Sequence, residues 1–171
     1  MIFVTVGTHE QPFDRLVRAV DELKGDGVIA SDEQVFIQTG FSTYTPRHCE
    51  WAKLLPYQEM QQRVRDARIV ITHGGPSSFL APLRIGKIPI VAPRRVEYGE
   101  HVNDHQVDFT HDVAQRFDNI IIANDKNELA DAIQNYGHLV ADMSTEGLSH
   151  NDEFCQHFES LVTDLLPAKE A

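Results

Sequence analysis

The segment HGGPSS, residues 73–78, follows a short run of apolar residues and carries the strongest chemical signal in the chain. Adjacent glycines let a backbone approach a ligand closely, and the first amides of a following helix attract anions. Amides, hydroxyls and an imidazole can all donate to a phosphate here, from His73, Gly74, Gly75, Ser77 and Ser78. We interpret the segment as a diphosphate-binding loop, with an ordinary strand-to-helix turn capped by a serine as the alternative.

A second glycine turn, Gly7-Thr8-His9-Glu10, follows the first apolar run of the chain. We predict that it faces the same crevice as the diphosphate loop. His9 or Glu10 can serve there as a general base, because each can accept a proton near neutral pH once its surroundings tune its pKa. A simply solvated loop histidine is the alternative for His9.

A third segment, EYGEHVNDHQ at residues 97–106, is rich in hydrogen-bonding side chains. Sugar hydroxyls need paired donors and acceptors, so this segment is predicted to bind a sugar. His101 and His105 also have the i, i+4 spacing of zinc ligands on a helical face, although the HExxH order and a cysteine pair are missing. A solvated helix start, capped by Asn103 or Asp104, is the third interpretation.

Two common nucleotide-binding motifs are absent from the sequence. GTHEQP stands after the first apolar run instead of GxGxxG, so NAD binding loses its main support. The GxxxxGK[ST] phosphate loop is missing as well, which argues against ordinary P-loop nucleotide hydrolysis. Arg94 and Arg95 can pair with a phosphate or an acidic sugar, or they are surface charges.

Short apolar runs alternate with amphipathic segments along the chain. We predict strands at residues 2–6, 35–38, 51–55, 69–72, 88–92 and 120–123, and helices at residues 13–23, 59–65, 77–85, 103–115, 127–134 and 151–166. This alternation indicates a parallel sheet covered on both faces, in which ligands bind beyond the carboxyl ends of the strands. The sequence therefore predicts an α/β fold with one Rossmann-like domain over residues 1–171, in which residues 137–171 form a helical tail.

The composition is that of an ordinary globular protein and restricts its partners. Of 171 residues, 42% are hydrophobic and 24% are charged, and the formal net charge is -11. Nucleic-acid binding is not expected, because it depends on clustered basic residues. Two distant cysteines, Cys49 and Cys155, indicate a reduced cytoplasmic protein. No signal peptide and no apolar run of roughly 18–20 residues is present, so another protein would have to hold the chain at a membrane.

Three segments, in order, resemble the C-terminal domain of glycosyltransferase family 28. They are IFVTVGTHEQPFDRLVRAVDEL, IVITHGGPSSFLAPLRIGKIPIVAP and GEHVNDHQVDF, and the likeness runs from residue 2 to about residue 135. It is closer to small single-domain bacterial exopolysaccharide and capsule glycosyltransferase subunits, and to the catalytic subunit of the eukaryotic two-subunit UDP-GlcNAc transferase. The resemblance implies the donor-binding half of a GT-B enzyme, inverting and independent of metals and cofactors.

The same resemblance implies partners and a location. A UDP-sugar would donate a hexose, and a membrane-anchored partner subunit would hold a polyprenyl-diphosphate-linked sugar as the acceptor. The pair would act at the cytoplasmic face of the membrane in exopolysaccharide or capsule biosynthesis. Two alternatives remain: a non-catalytic subunit that stimulates or stabilises a partner glycosyltransferase, and a Rossmann-type binder of small molecules.

Matching motifs assign a role to each polar segment. The donor diphosphate is expected at Gly7, Thr8, His73, Gly74, Gly75, Ser77 and Ser78. The uracil is expected at Leu55, Pro56 and Tyr57, and the donor sugar at Asn103, His105 and Gln106. The wider family often grips the ribose with a glutamate five residues before the glycine that is Gly86 here, where this chain has Ala81. We therefore assign the ribose to Glu100, and the catalytic base to His9 or Glu10.

Overall fold

The structure, a computed structural model, describes residues 1–143 and 151–165 and is built around a sheet of six parallel strands. The strands are β1 (Ile2–Thr5), β2 (Val35–Gln38), β3 (Glu50–Ala52), β4 (Ile69–His73), β5 (Ile90–Ala92) and β6 (Ile121–Ile122). Their order across the sheet is β3-β2-β1-β4-β5-β6, and every neighbouring pair is parallel. This is the doubly wound order, in which the winding direction reverses between β1 and β4. It confirms the predicted α/β fold.

Helices connect the strands and cover both faces of the sheet. They are α1 (Asp14–Gly25), α2 (Tyr57–Asp66), α3 (Pro76–Leu83), α4 (His105–Phe117), α5 (Lys126–Gln134), α6 (Tyr136–Leu139) and α7 (Asn151–Leu165). The short helix α6 lies at the start of the predicted helical tail, residues 137–171, in which the sequence did not identify it as a separate helix. The sequence did not predict a short 3₁₀ helix at Val96–Tyr98. Residue 166, the predicted end of the last helix, lies outside the described residues. Within the described ranges, no helix has the length and apolar character that crossing a bilayer requires.

The apolar strands are buried on both faces, which explains why their sequences are continuously hydrophobic. Successive side chains of a strand point to opposite faces of the sheet. Ile2 and Val4 of β1 therefore pack in one buried cluster with Val20 of α1. Phe3, which lies between them, packs on the other face with Val64 of α2. A further buried cluster joins β5 to α3 and includes Val91, Phe79 and Leu83.

The third strand begins and ends earlier than the sequence predicts. It pairs with β2 through Gln38 and Ala52, and the carbonyl of Lys53 then accepts the N–H of Gly40 at 2.9 Å where the chain turns. Leu55 was predicted as strand because it is apolar. It instead packs from the turn before α2 against the cluster that contains Phe3.

Candidate functional site

A cavity of about 650 Å³ lies where the winding of the sheet reverses, beyond the carboxyl ends of β1 and β4. We call it the switch-point cavity. Its walls come from β1 and the loop after it, from the end of β4, and from α2 and α3: Thr5, Gly7, Thr8, His9, Tyr57, Met60, Gln61, Val64, His73, Ser77, Ser78, Ala81 and Arg84. Doubly wound sheets bind their ligands at this position.

A smaller cavity, about 390 Å³, lies beside the loop between β4 and α3 and is called the α4 cavity here. It is lined by Gly74, Gly75, Pro76, His101, His105, Gln106 and Phe109. The loop and α4 are in close contact, because a Cβ atom built on Gly74 would lie 2.9 Å from Cβ of Gln106. Another cavity, about 520 Å³, lies near Met1 and Gln34, at the opposite end of the strands and away from every predicted site residue.

His73 organises the loop between β4 and α3. Its Nδ1 accepts the N–H of Gly75 at 3.0 Å, and its Nε2 lies 2.9 Å from Oγ of Ser78. Since Nδ1 faces a donor, the neutral ring carries its proton on Nε2 and donates it to Ser78. The hydroxyl hydrogen of Ser78 is then free to reach a ligand. His73 thus uses both ring nitrogens within the loop rather than presenting one to the cavity.

Two glycines enclose the His73 ring. Gly7 has a positive φ of 75°, which favours glycine, and a Cβ atom there would lie 2.4 Å from Nε2 of His73. A Cβ atom on Gly75 would lie 2.2 Å from Cε1 of the same ring. The glycines of the first and second predicted turns are therefore parts of one packed unit.

The imidazole of His73 is held neutral. Burial, and after it the cation of Arg94, lowers its pKa from 6.5 to about 4. A charged ring would also place a proton on Nδ1, against the N–H of Gly75. The unfolded chain therefore binds more protons than the folded protein at pH values between about 4 and 6.5.

This difference predicts a pH-dependent loss of stability. The folded pKa of His73 is the lower one, so its effect is absent well above pH 6.5 and increases as the pH falls towards 4. Between pH 7.5 and 4.5, the wild type should lose about 2–3 kcal/mol more of its free energy of unfolding than His73→Gln. Urea unfolding of both proteins at several pH values measures this difference. Parallel pH profiles would show that His73 does not titrate as described.

His9 lines the switch-point cavity and contacts the ring of His101, with 4.9 Å between ring centroids. Burial, and then Arg94 and His101, lower its pKa, which favours the neutral ring. Its Nδ1 accepts the N–H of Gln11 at 3.2 Å, so the proton of the neutral ring lies on Nε2. In this conformation Nε2 is a donor, and the ring must change tautomer before Nε2 accepts a proton. Glu10 is exposed and lines neither cavity.

Arg94 is fully buried, with 0% of its surface exposed, and joins the loop after β1 to the loop after β5. Its guanidinium donates to four carbonyl oxygens, those of Val6, Gln11, Pro12 and Glu100. Burial lowers its pKa to about 10, so the side chain stays charged at neutral pH. It lines neither cavity and cannot contact a phosphate directly, but its charge lies near His9 and His73.

Glu100 is also a structural residue, with only 3% of its surface exposed. Its two carboxylate oxygens each accept a hydrogen bond from Arg15 at 2.9 Å, and one also accepts the N–H of Arg95 at 3.0 Å. The prediction that Glu100 binds the ribose is therefore wrong, because its carboxylate is buried and occupied, and Glu100 lines neither cavity.

The predicted sugar ligands are only partly brought together. His105 and Gln106 line the α4 cavity, whereas Asn103 does not and instead accepts the N–H of His105 at 3.3 Å. Because α4 begins at His105, His101 is not on the same helix, and the spacing that suggested zinc does not describe a helical face. In the part of the chain that the structure describes, no group of three or more acidic, histidine or cysteine side chains is placed to hold a metal ion.

Of the three residues predicted to bind the uracil, one lines a cavity and two do not. Tyr57 lines the switch-point cavity with 76% of its surface exposed, and its hydroxyl accepts Nε2 of Gln61 at 2.7 Å. Pro56 is the residue before α2, and neither it nor Leu55 lines a cavity. Of the three residues, Tyr57 is the one in a position to contact a ligand.

The sequence analysis missed cavity-lining residues on α2 and α3. Most continue a helical face from a predicted site residue at intervals of three or four positions, as in Tyr57, Gln61 and Val64, and in Ser77, Ala81 and Arg84. Extending each predicted site residue along its own helix would have found them. Arg84 matters most, because it is the cationic side chain in the cavity wall.

The order of the strands and the cavity at their reversal define a ligand-binding α/β domain of the doubly wound class. The chain belongs to glycosyltransferase family 28, since the model of the glycosyltransferase family 28 C-terminal domain matches residues 1–153. The resemblance found in the sequence is thereby confirmed, and the chain is a glycosyltransferase domain of the type that forms one half of a GT-B enzyme.

Solved structures share this fold. A crystal structure of the glycotransferase of kitacinnamycin is 17% identical, with a TM-score of 0.64, and the match covers 97% of this chain and 43% of that one. The glycosyltransferase SnogD from Streptomyces nogalater is 16% identical, with a TM-score of 0.51, and the match covers 94% and 43% of the two chains. The chain therefore spans less than half the length of these two proteins. No curated protein sequence matches it significantly.

Proposed function

We propose that this chain is the donor-binding subunit of an inverting, UDP-sugar-dependent hexosyltransferase. A membrane-anchored partner subunit would hold a polyprenyl-diphosphate-linked sugar as the acceptor. The pair would work at the cytoplasmic face of the membrane, in exopolysaccharide or capsule biosynthesis.

The observation that carries this proposal is the placement of the α3 N-terminus at the switch-point cavity. Ser77 and Ser78, in the first turn of α3, both line the cavity. Among the described residues, the N–H of Ser77 has no hydrogen-bond partner. The positive end of a helix, free donors and the nearby charge of Arg94 together favour a dianionic diphosphate.

The proposed reaction is a single displacement. The acceptor hydroxyl oxygen bonds to the anomeric carbon as the bond from that carbon to the diphosphate oxygen breaks, so the configuration inverts. The hydroxyl proton passes to a base, for which His9 and Glu10 remain the candidates, and UDP takes the electron pair of the broken bond. Donors at the start of α3 stabilise the departing charge, which makes a metal ion unnecessary in this scheme.

The partner in this proposal corresponds to the part of the similar structures that the match does not cover. The similar structures are more than twice as long as the part matched here, since only 43% of each is covered. In the proposed enzyme the partner supplies the half that holds the acceptor, over the carboxyl ends of β1 and β4. The donor sugar would extend from the switch-point cavity to the α4 cavity, past Gly74 and Gly75.

Replacing Ser77 by alanine tests the diphosphate assignment. Ser77 is exposed and its hydroxyl makes no hydrogen bond among the described residues, so the fold should be unaffected. We expect UDP to raise the melting temperature of the wild type, and the Kd for UDP to increase about tenfold in Ser77→Ala, as for one lost charge-assisted hydrogen bond. Calorimetric titration measures the Kd for UDP of the wild type and of the variant. Ser31→Ala, on an exposed loop, serves as the control.

The same variant separates the enzyme from a non-catalytic helper. Ala81, which lines the cavity in place of a larger polar residue, favours the helper, because it leaves fewer contacts for a nucleotide. If the reconstituted pair transfers sugar equally well with Ser77→Ala, the chain is a stimulating subunit. No binding of UDP by the chain, alone or with its partner, would exclude a donor-binding role.

A further inference from the structure

We propose that the switch-point cavity does not recognise the 2′-hydroxyl of the ribose. Ribose and 2′-deoxyribose nucleoside diphosphates then bind with similar affinity. Arg84 contributes to the binding of both by donating hydrogen bonds to nucleotide oxygens. This inference rests on the proposed function and concerns the nucleoside part of the same site.

The part of the cavity wall that the structure describes has no carboxylate. None of the described residues that line it is Asp or Glu. The two hydroxyls of a ribose donate hydrogen atoms, and in other doubly wound folds an Asp or Glu accepts from the 2′-hydroxyl. Glu100, to which the sequence analysis assigned the ribose, is buried and paired with Arg15.

The position of the ribose follows from the geometry of α3. If the diphosphate lies at Ser77 and Ser78, the nucleoside extends along the same face of the helix. At a rise of about 1.5 Å per residue, Ala81 is on the order of 6 Å and Arg84 on the order of 10 Å along the axis from Ser77. Ala81 therefore lies beside the ribose, and its methyl group can neither donate nor accept.

Arg84 places a cation in the part of the cavity proposed for the ribose, whose two hydroxyls would be bound better by an anion. It is exposed, and no carboxylate among the described residues forms an ion pair with it. A guanidinium only donates, so it binds phosphate, carbonyl or ring oxygens and does not accept from a hydroxyl. The arginine thus increases the affinity for a nucleotide without distinguishing ribose from 2′-deoxyribose.

The opposite wall, on α2, offers little discrimination either. The Tyr57 oxygen already accepts from Gln61 at 2.7 Å, and both this oxygen and the amide oxygen of Gln61 are neutral acceptors. A neutral hydrogen bond contributes about half as much as one to a charged group. We therefore expect UDP and 2′-deoxyuridine diphosphate to differ by no more than about threefold in Kd.

Titration calorimetry of the chain, alone and with its partner subunit, with UDP and 2′-deoxyuridine diphosphate tests this inference. Kd values within about threefold of each other support it. A Kd at least tenfold weaker for the deoxy nucleotide, with UDP bound, overturns it and leaves the proposed function intact. Failure of both nucleotides to bind in either setting overturns the proposed function and this inference with it.

Two variants test the residues themselves. Ala81→Glu should create a preference for UDP over the deoxy nucleotide of about tenfold, because it places a carboxylate beside the diol. Arg84→Gln should weaken both nucleotides by the same factor, about three- to tenfold. Arg65→Gln, an exposed arginine on α2 that lines no cavity, removes the same charge as a control. An unchanged ratio in folded Ala81→Glu, or full affinity in Arg84→Gln, contradicts the proposal.

Discussion

Replacing Arg94 by methionine should lower the free energy of unfolding by about 3–5 kcal/mol. The guanidinium is fully buried and binds four carbonyl oxygens, and its bonds to Val6 and Glu100 are themselves buried. Methionine fills similar space but donates nothing, so these oxygens lose their partner in a place that water does not reach. Urea unfolding at pH 7.5 measures the loss.

Arg95→Met is the matched control for this prediction. Arg95 is the next residue, partly exposed, and its main ionic partner is Glu97 at 3.1 Å on the surface. Such a pair contributes about 0–1 kcal/mol, so the control should unfold almost as the wild type does. Equal losses in the two variants would contradict the structural role given to Arg94.

A second measurement follows from the charge of Arg94. Its cation is among the causes that lower the pKa values of His9 and His73. Removing the cation should therefore raise both pKa values, which NMR titration of the imidazole signals in the folded variant detects. The buried arginine in this way adds to the effect of burial, which is the main reason that the two histidines are neutral, and it also holds the loops on which they lie.

The strands and the fold class were predictable because they depend on local patterns. The apolar runs that form β1, β4 and β5 are continuous, and each ends in glycine, proline or a polar turn, as buried parallel strands do. The order of the strands was not specified from the pattern, since it depends on which strands pair across the chain. Ile2, for example, pairs with both Val35 and Ile69.

The wrong strand boundary has a physical cause. Trp51 to Leu55 contains three large apolar residues, which resemble a buried strand in sequence. β3 is an edge strand with Trp51 exposed, so its length is set by pairing with β2 rather than by hydrophobicity. Pairing stops at Ala52, where the chain leaves to form the turn before α2.

The site residues were predictable where they lie together in one segment of the sequence. They were less predictable where the role of a residue depends on a partner far away in the sequence. His73, Ser77 and Ser78 were predicted from one segment, and all three line the same cavity. The error at Glu100 arose because its partner Arg15 is 85 positions away in the sequence. A free carboxylate and a buried, paired one look identical in a sequence.

Gly7→Ala is expected to destabilise the protein and to change the conformation of the loop between β4 and α3. At a φ of 75°, any side chain costs about 1–2 kcal/mol, and the new methyl group would lie 2.4 Å from Nε2 of His73. The ring has little freedom to move aside, because Nδ1 accepts the N–H of Gly75 and Nε2 is hydrogen-bonded to Ser78. We expect a total loss of about 2–4 kcal/mol in the free energy of unfolding, with a UDP affinity reduced at least tenfold.

Gly27→Ala separates the backbone effect from the steric one. Gly27 has a φ of 77°, close to that of Gly7, but a Cβ atom there meets nothing within 4 Å. The control should therefore lose about 1–2 kcal/mol and retain its affinity for UDP. In a double-mutant cycle, His73→Ala should remove the steric part, so that Gly7→Ala costs no more in that background than Gly27→Ala does in the wild type. Additive losses would mean that His73 does not fill the space between the two glycines.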